Sequence, residues 1–204
     1  VGEQTGARVD DLWLRDYRES QEANSPEVLL LSPADSSNSY YAEFGWVAQE
    51  TGTAVPGPTT EWTASGGSLS PESPVLLTWD NGAGLQFTQI FSIDDNYMFT
   101  ITQRVQNTGT EAVALFPYSR AVRSGTPNTL GFFVLHEGPL GVFEGTLEEL
   151  SYGDVRDGQN TRRSESGGWV GITDKYWLVV LVAFIVGIWL CGKTADDLKV
   201  HDHG

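Results

Sequence analysis

The sequence predicts an all-β protein built from antiparallel strands. From residue 74 to residue 116, apolar and polar side chains alternate with a period of two, which is the pattern of half-buried strands. Turn-forming residues interrupt this alternation every 8–12 residues or so, as in sandwich folds. The 204 residues include 7 Trp, 7 Tyr and 9 Phe, enough to fill a substantial core. Helical periodicity is nearly absent.

The stretch from residue 74 to residue 116 predicts a meander of four strands. A short apolar run at residues 75–79 ends in the turn-forming residues 80–84. In the next strand one face is apolar, and the alternation breaks only at Gln89 and Ile90. That apolar face consists of Leu85, Phe87, Phe91 and Ile93. Residues 94–96 and 107–110 form the following two turns, each flanked by another alternating strand.

The pattern is looser in the rest of the chain. Strands are expected at residues 27–31 and at residues 40–49, where Gly45 indicates a bulge or a close backbone approach. Residues 51–74 are rich in Gly and Pro and predict a long connection with one short strand near Trp62. Three later segments are expected to form a strand (residues 130–135), a short helix or a strand (144–155) and a solvated loop (157–168).

Composition excludes several classes of protein. The chain has 12 basic and 27 acidic residues, a formal net charge of −15, and no basic stripe that could contact the phosphates of a nucleic acid. Its only cysteine, Cys191, excludes an internal disulfide framework and a zinc site built on cysteines. No nucleic-acid partner is therefore expected.

Histidine and acidic pairs are the candidate catalytic or metal-binding residues. His136 and Glu137 are adjacent, and adjacent residues on a strand point to opposite faces, so we interpret them as a polar pair before a turn at residues 138–139. His201 and His203 flank Asp202 in a terminal tail, which is a poor metal site. Turn formation and solubility explain the adjacent acids. Those acidic pairs are Asp10–Asp11, Asp94–Asp95, Glu148–Glu149 and Asp196–Asp197.

Recognised catalytic motifs are absent from the sequence. There is no G-x-S-x-G elbow, no phosphate-binding G-x-x-x-x-G-K-[ST] loop and no H-E-x-x-H helix. We therefore expect no catalytic, cofactor-binding or metal-ligating residue, and no enzymatic activity.

An uncharged run of 17 residues, 176–192, lies between Lys175 and Lys193. This length is at the lower limit for crossing a bilayer, but the β-branched composition also suits buried strands. Just before the run and at its start, Trp169, Tyr176 and Trp177 predict a core or edge strand. The alternative for these aromatic side chains is a partner surface or the membrane interface.

Five segments of the chain resemble the periplasmic domain of the bacterial membrane protein insertases of the YidC/Oxa family. The resemblance extends over about residues 7–178, in order and without large gaps. The segments are LWLRDYRE (12–19), VLLLSPADSSNSYYAEFGWV (28–47), FSIDDNYMFTITQRVQNTG (91–109), LHEGPLGVFEGTLEELSY (135–152) and SGGWVGITDKYWL (166–178).

The resemblance implies a β-supersandwich similar to galactose mutarotase domains. It also implies a parent protein of the bacterial inner membrane, with this domain facing the periplasm. Such a parent inserts and folds inner-membrane proteins, alone or with the Sec translocon. Translocon subunits and nascent membrane proteins are then the implied partners, no cofactor is implied, and the role of the domain is that of a non-catalytic scaffold or docking surface. The intramembrane arginine of the family is not matched by Arg104, Arg120 or Arg123, which lie in the sandwich pattern.

These observations divide the chain into three parts. Residues 1–178 are expected to form the periplasmic sandwich, incomplete at its N-terminus. Residues 179–192 are expected to be a hydrophobic segment, which is either a helical membrane span or a tail foreign to the family pattern. Residues 193–204 are expected to be a polar tail. The alternative function is a carbohydrate- or peptide-binding sandwich of the mutarotase-like type.

Overall fold

The computed structural model describes residues 2–127, 135–164, 167–174 and 176–182. Its first ten strands are β1 (Gly2–Thr5), β2 (Arg8–Val9), β3 (Leu12–Arg18), β4 (Glu27–Leu31), β5 (Tyr40–Ala48), β6 (Glu61–Ser65), β7 (Val75–Asp80), β8 (Leu85–Ile93), β9 (Phe99–Asn107) and β10 (Leu115–Arg123). The chain continues with β11 (Gly138–Phe143), β12 (Thr146–Glu149), the helix α1 (Tyr152–Arg156), β13 (Trp169–Asp174) and β14 (Trp177–Leu181). The strand pairings with described register are antiparallel, so the all-β antiparallel prediction is confirmed.

The chain folds into two compact units. The first contains residues 2–7 and 45–118, and the second contains residues 8–44 and the described residues from 119 to 182. Strands β5 and β10 each contribute residues to both units.

The first unit is built on a five-stranded sheet in the order β1-β6-β7-β8-β9. Three of the four strands of the predicted meander are confirmed, because β7 pairs with β8 from Val75↔Phe91 onward and β8 pairs with β9 through Ile93↔Phe99. The fourth is wrong: β10 begins at Leu115 and lies in a separate sheet, in the order β10-β5-β2, and not beside β9. The turn between β7 and β8 is fixed by side chains: the Gly82 amide donates to Asp80 Oδ1 at 2.7 Å. Strand β8 alternates without interruption, and the predicted break at Gln89 is wrong because Gln89 occupies a fully buried core position.

Aromatic side chains fill the core of the first unit. Trp62 and Phe87 are fully buried, and the Phe87 ring contacts Trp46 at 5.1 Å and Trp79 at 5.6 Å between centroids. The short strand expected near Trp62 is β6, so that prediction is confirmed. Phe87 lies opposite Trp79 on one neighbouring strand and Val105 on the other, which places this aromatic cluster on one face of the sheet.

Gly45 in β5 marks a close approach, as predicted. A Cβ atom built on Gly45 would lie 2.6 Å from the hydroxyl oxygen and 2.7 Å from Cζ of Tyr118 in β10. Gln103 from β9 reaches the same point, because its side-chain amide donates to the Gly45 carbonyl at 2.9 Å. The position therefore requires a residue without a side chain.

Replacing Gly45 with Ala should lower the free energy of unfolding by roughly 1–3 kcal/mol, because the added methyl group overlaps the Tyr118 ring. Urea denaturation measures the change. In the background of Tyr118→Ala, where that ring is absent, Gly45→Ala should cost much less. Equal costs in both backgrounds would show that the ring does not impose the glycine.

The second unit contains the four-stranded sheet β12-β11-β13-β14 and the two-stranded sheet β3-β4. Strand β2 pairs with the part of β5 that belongs to this unit, through Arg8↔Glu43 and Val9↔Ala42. The core centres on Leu31, Tyr40 and Ile172. Partly buried apolar side chains pack against this centre: Val9, Leu12, Leu30, Ala121, Tyr152 and Val179.

The remaining structural predictions concern segments of the second unit. Residues 144–155 contain both alternatives, the strand β12 and the start of α1, which is capped by Ser151. Residues 138–139 do not form the predicted turn: they begin β11, because Gly138 (φ +140°) pairs in register with Thr173. The predicted strand at 130–135 lies, except for Leu135, outside the described residues.

The end of the sandwich was expected at residue 178, and β14 pairs with β13 through Leu181. Residues 183–204, with Cys191 and both terminal histidines, lie outside the described residues. In the part of the chain that the structure describes, no helix has the length and hydropathy needed to cross a membrane.

Candidate functional site

The second unit contains an open cavity of about 1110 Å³. Its walls come from the end of β3 and the residues after it, from β4, from the starts of β5 and β14, and from the ends of β10 and β13. The residues that matter most for its chemistry are Tyr17, Tyr40, Arg123, Asp174 and Trp177. The cavity is large enough to hold a segment of peptide or a short sugar chain.

An ion pair forms part of the cavity wall. Arg123 Nη2 lies 2.8 Å from Asp174 Oδ2, and both side chains are slightly less than one-fifth exposed, at 18% and 17%. The Tyr152 hydroxyl donates a hydrogen bond to Asp174 Oδ1. The Arg123 guanidinium also lies over the Tyr40 ring, with its carbon 4.4 Å from the centroid. These contacts hold a cation and an anion side by side in a fixed geometry.

The two tyrosines of this network remain protonated at neutral pH. Burial raises the pKa of Tyr40 well above its ordinary value, and the nearby Asp174 carboxylate raises it further while Arg123 opposes the change. Burial also raises the pKa of Tyr152, and its hydrogen bond to Asp174 adds to the effect. The Tyr40 hydroxyl donates to the Ile172 carbonyl at 3.1 Å. Both hydroxyls therefore act as hydrogen-bond donors and not as bases.

The free energy of unfolding should fall as the pH rises above about 10, the ordinary pKa of tyrosine. Above that pH the unfolded chain releases the Tyr40 and Tyr152 protons while the folded protein keeps them, so the buried Tyr40 contributes a loss that approaches about 1.4 kcal/mol per pH unit. The half-exposed Tyr152 contributes a smaller loss in the same direction, because solvent screens its interactions. Urea denaturation at a series of alkaline pH values measures the slope. Tyr152→Phe should reduce this slope, whereas Phe116→Leu, which replaces an exposed ring and removes no titratable group, should leave it unchanged. Equal slopes in wild type and Tyr152→Phe would contradict the assignment.

Aromatic rings line the mouth of the cavity. Tyr17 meets Trp177 edge to face, with 4.8 Å between centroids and an angle of 81° between the ring planes. Tyr17 is 47% exposed and Tyr176 is 79% exposed. Of the three aromatic residues that the sequence grouped together, Tyr176 and Trp177 line the cavity, whereas Trp169 lies in β13 opposite Val142. Exposed rings beside an accessible ion pair are features of a binding surface.

The candidate acid–base residues are held in local interactions. His136 Nε2 lies 3.2 Å from the Pro139 carbonyl, and Glu137 lines the cavity. Asp94 organises a hairpin turn, and Glu148 pairs with Arg163. Burial raises the pKa of Asp10, with Arg8 opposing the change. Within the described ranges, no group of three His, Cys, Asp or Glu side chains could hold a metal ion.

The network around Asp174 could not be predicted from the sequence. Arg123, Tyr152 and Asp174 come from β10, α1 and β13, and no spacing along the chain connects them. The buried Glu43, which pairs with Arg8 and Arg120, was missed for the same reason. The available signal was weak: Asp174 lies between Trp169 and Tyr176 in a segment predicted to form a strand, and Arg123 lies beyond the predicted meander.

Comparisons of the sequence with a family model and with known proteins indicate the same family. The family model described as the YidC periplasmic domain matches residues 3–185. A membrane protein insertase YidC from Granulibacter bethesdensis is 48% identical over 183 residues, which cover 87% of this chain and 32% of that protein. Proteins of the same name from Methylobacterium radiotolerans and Acidiphilium cryptum are each 46% identical, again over 87% of this chain. The chain spans about a third of the length of these relatives.

Proposed function

Because this chain belongs to the YidC periplasmic domain family, we propose that it acts as the periplasmic domain of a membrane protein insertase in the bacterial inner membrane. The observation that carries the proposal is the family match over residues 3–185, together with relatives that are named membrane protein insertases. On this proposal, the parent protein inserts and folds membrane proteins, and this domain supports that activity from the periplasmic side.

The proposed role of the domain is docking and scaffolding, without catalysis. Two features support it: exposed aromatic rings surround an open cavity, and His136 and Asp94 take part in local backbone interactions. The proposed partners are subunits of the Sec translocon and nascent membrane proteins, as the family resemblance implies.

Binding measurements with the purified chain test this role. The chain is immobilised and exposed to purified Sec translocon in detergent, and separately to ribosomes that carry a nascent single-span membrane protein. Saturable binding that free chain competes away is the expected result. Detergent micelles with an unrelated membrane protein serve as the control. Equal signals from the translocon, the nascent chain and this control would contradict the docking role.

Binding of a sugar chain or a peptide in the cavity is the second candidate function. It is favoured by one observation: exposed Tyr17 and Tyr176 stand near the Arg123–Asp174 pair, so apolar stacking and paired polar contacts are available together. A glycan array probed with the wild-type chain and with Tyr176→Ser tests the sugar arm. Selective binding that is lost in Tyr176→Ser, and kept in Phe116→Ser, would favour this candidate over the docking role. An array on which no glycan is bound selectively would exclude a sugar chain as the ligand of the cavity.

A further inference from the structure

The hairpin between β8 and β9 presents two large apolar side chains to solvent at its tip. Tyr97 is 60% exposed, and Met98, the only methionine of the chain, is 63% exposed. They lie in the turn that connects Ile93 to Phe99, at the end of a ladder of nine residue pairs between the two strands. Tyr97 and Met98 are thus exposed apolar side chains at the end of two strands that are paired along their whole length.

The turn itself is fixed by Asp94. The Asp94 Oδ1 atom accepts hydrogen bonds from the backbone amides of Asn96 at 2.8 Å and Met98 at 2.9 Å. The Asp94 amide donates to the Met98 carbonyl at 3.1 Å. A carboxylate that bonds the amides two and four residues later is sufficient to close the loop. The turn therefore needs neither the Tyr97 ring nor the Met98 side chain.

Tyr97 also adopts an unfavourable backbone conformation. Its φ is +65°, in the left-handed region, where Asn or Gly is far more common than a bulky residue. The turn accounts for the left-handed backbone but not for the choice of tyrosine, since Asn or Gly would adopt this conformation at lower cost. A ring that is 60% exposed contributes little to folding, so folding alone does not explain Tyr at this position.

Charge limits the kind of partner. Asp94 and Asp95 precede the apolar pair in the same turn, and the described residues of the first unit as a whole contain one basic residue, Arg104, against eight acidic ones. The acidic residues are Glu3, Glu50, Glu61, Glu72, Asp80, Asp94, Asp95 and Glu111. Anionic lipid headgroups and nucleic acids would be repelled by this surface. A complementary partner surface carries Lys or Arg.

We propose that Tyr97 and Met98 form a docking point that inserts into an apolar site, bordered by Lys or Arg side chains, on a partner protein. Met adapts its shape to an irregular apolar site, and Tyr is one of the residue types that dominate binding at interface centres. Asp95, an exposed residue of the same turn, then lies close to the basic border. This surface is distinct from the cavity of the second unit and does not depend on what that cavity binds.

A synthetic helical peptide of about 18 residues, with a leucine stripe bordered by lysines, serves as the probe of that chemistry. Wild-type chain should bind it, and the double variant Tyr97→Asn/Met98→Ser should bind at least about tenfold more weakly although no charge has changed. Phe116→Ser, which removes a side chain of similar exposure (56%) from the same unit, is the matched control and should bind as wild type does. Fluorescence anisotropy of the labelled peptide gives the affinities.

The same variants test the strain argument. Tyr97→Asn should raise the melting temperature by about 2–4 °C, because Asn accepts the left-handed conformation more readily than Tyr. A fall in melting temperature would show that the Tyr97 ring stabilises the turn, and would remove the basis of the proposal.

Further outcomes would overturn the proposed partner. Equal affinity of wild type and the double variant for the lysine peptide would show that binding is only long-range charge attraction. Equal binding to a matched peptide with glutamates in place of lysines would exclude a basic border. Tip-dependent binding to phosphatidylglycerol vesicles would assign the tip to membrane, and tip-dependent dimerisation in sedimentation experiments would assign it to a second copy of the chain.

Discussion

Replacing Phe87 with Ala should lower the free energy of unfolding by about 3–5 kcal/mol. Phe87 has no exposed surface, and its ring packs against Trp46 and Trp79. The substitution removes the ring from the core of the first unit and leaves a cavity that Trp46 and Trp79 can fill only in part. Since small domains are stable by about 5–15 kcal/mol in total, this change should bring the protein close to unfolding.

Guanidinium or urea denaturation at neutral pH measures this loss. Phe87→Leu, which keeps most of the buried volume, should cost clearly less than Phe87→Ala. Phe116→Ala, at a site where the ring is 56% exposed, should change the free energy by no more than about 0.5 kcal/mol. If Phe87→Ala behaved like Phe116→Ala, the aromatic cluster around Phe87 would not be the core of the first unit.

The position of Phe87 could be predicted because its signal is local. Alternation within β8 and the turns on either side of it depend on residues close together in sequence, so the strands of the meander and the inward direction of Leu85, Phe87 and Phe91 followed from the pattern. The pattern failed at Gln89, where a polar residue occupies a core position and was therefore interpreted as a break. Alternation shows which positions point inward but assumes that they are apolar.

The polar networks of the second unit could not be predicted in the same way. Arg123 meets Asp174, and Glu43 meets Arg8 and Arg120, only after distant strands have come together. Each of these residues, taken alone in the sequence, is typical of a charged residue at a strand surface. The family resemblance did not supply them either, because its five segments are structural motifs without assigned contacts. The start of β11 was misjudged for a related reason, since Gly138–Pro139 is typical of a turn until Thr173 is available as a pairing partner.

Replacing Glu43 with Gln should lower the free energy of unfolding by about 3 kcal/mol. The Glu43 side chain is only 4% exposed and forms ion pairs with two arginines. Arg8 Nε lies 3.0 Å from Oε2, and Arg120 Nη2 lies 2.9 Å from Oε1. Gln keeps the shape of Glu43 but removes the charge, so the Arg8 guanidinium, itself 17% exposed, is left in a poorly solvated place without its carboxylate. The loss is near the lower end of the range for buried ion pairs because Arg120, at 53% exposure, can return to water.

Three measurements isolate this effect. Glu111→Gln removes an exposed carboxylate and should change the free energy of unfolding by no more than about 0.5 kcal/mol. Arg8→Met should cost much less in the Glu43→Gln background than in wild type, because the two substitutions remove the same contact. The denaturant slope should not change, since the folded protein remains equally compact. Additive costs of Arg8→Met and Glu43→Gln would show that the two side chains stabilise the second unit independently, and that the ion pair joining β2 to β5 contributes nothing of its own.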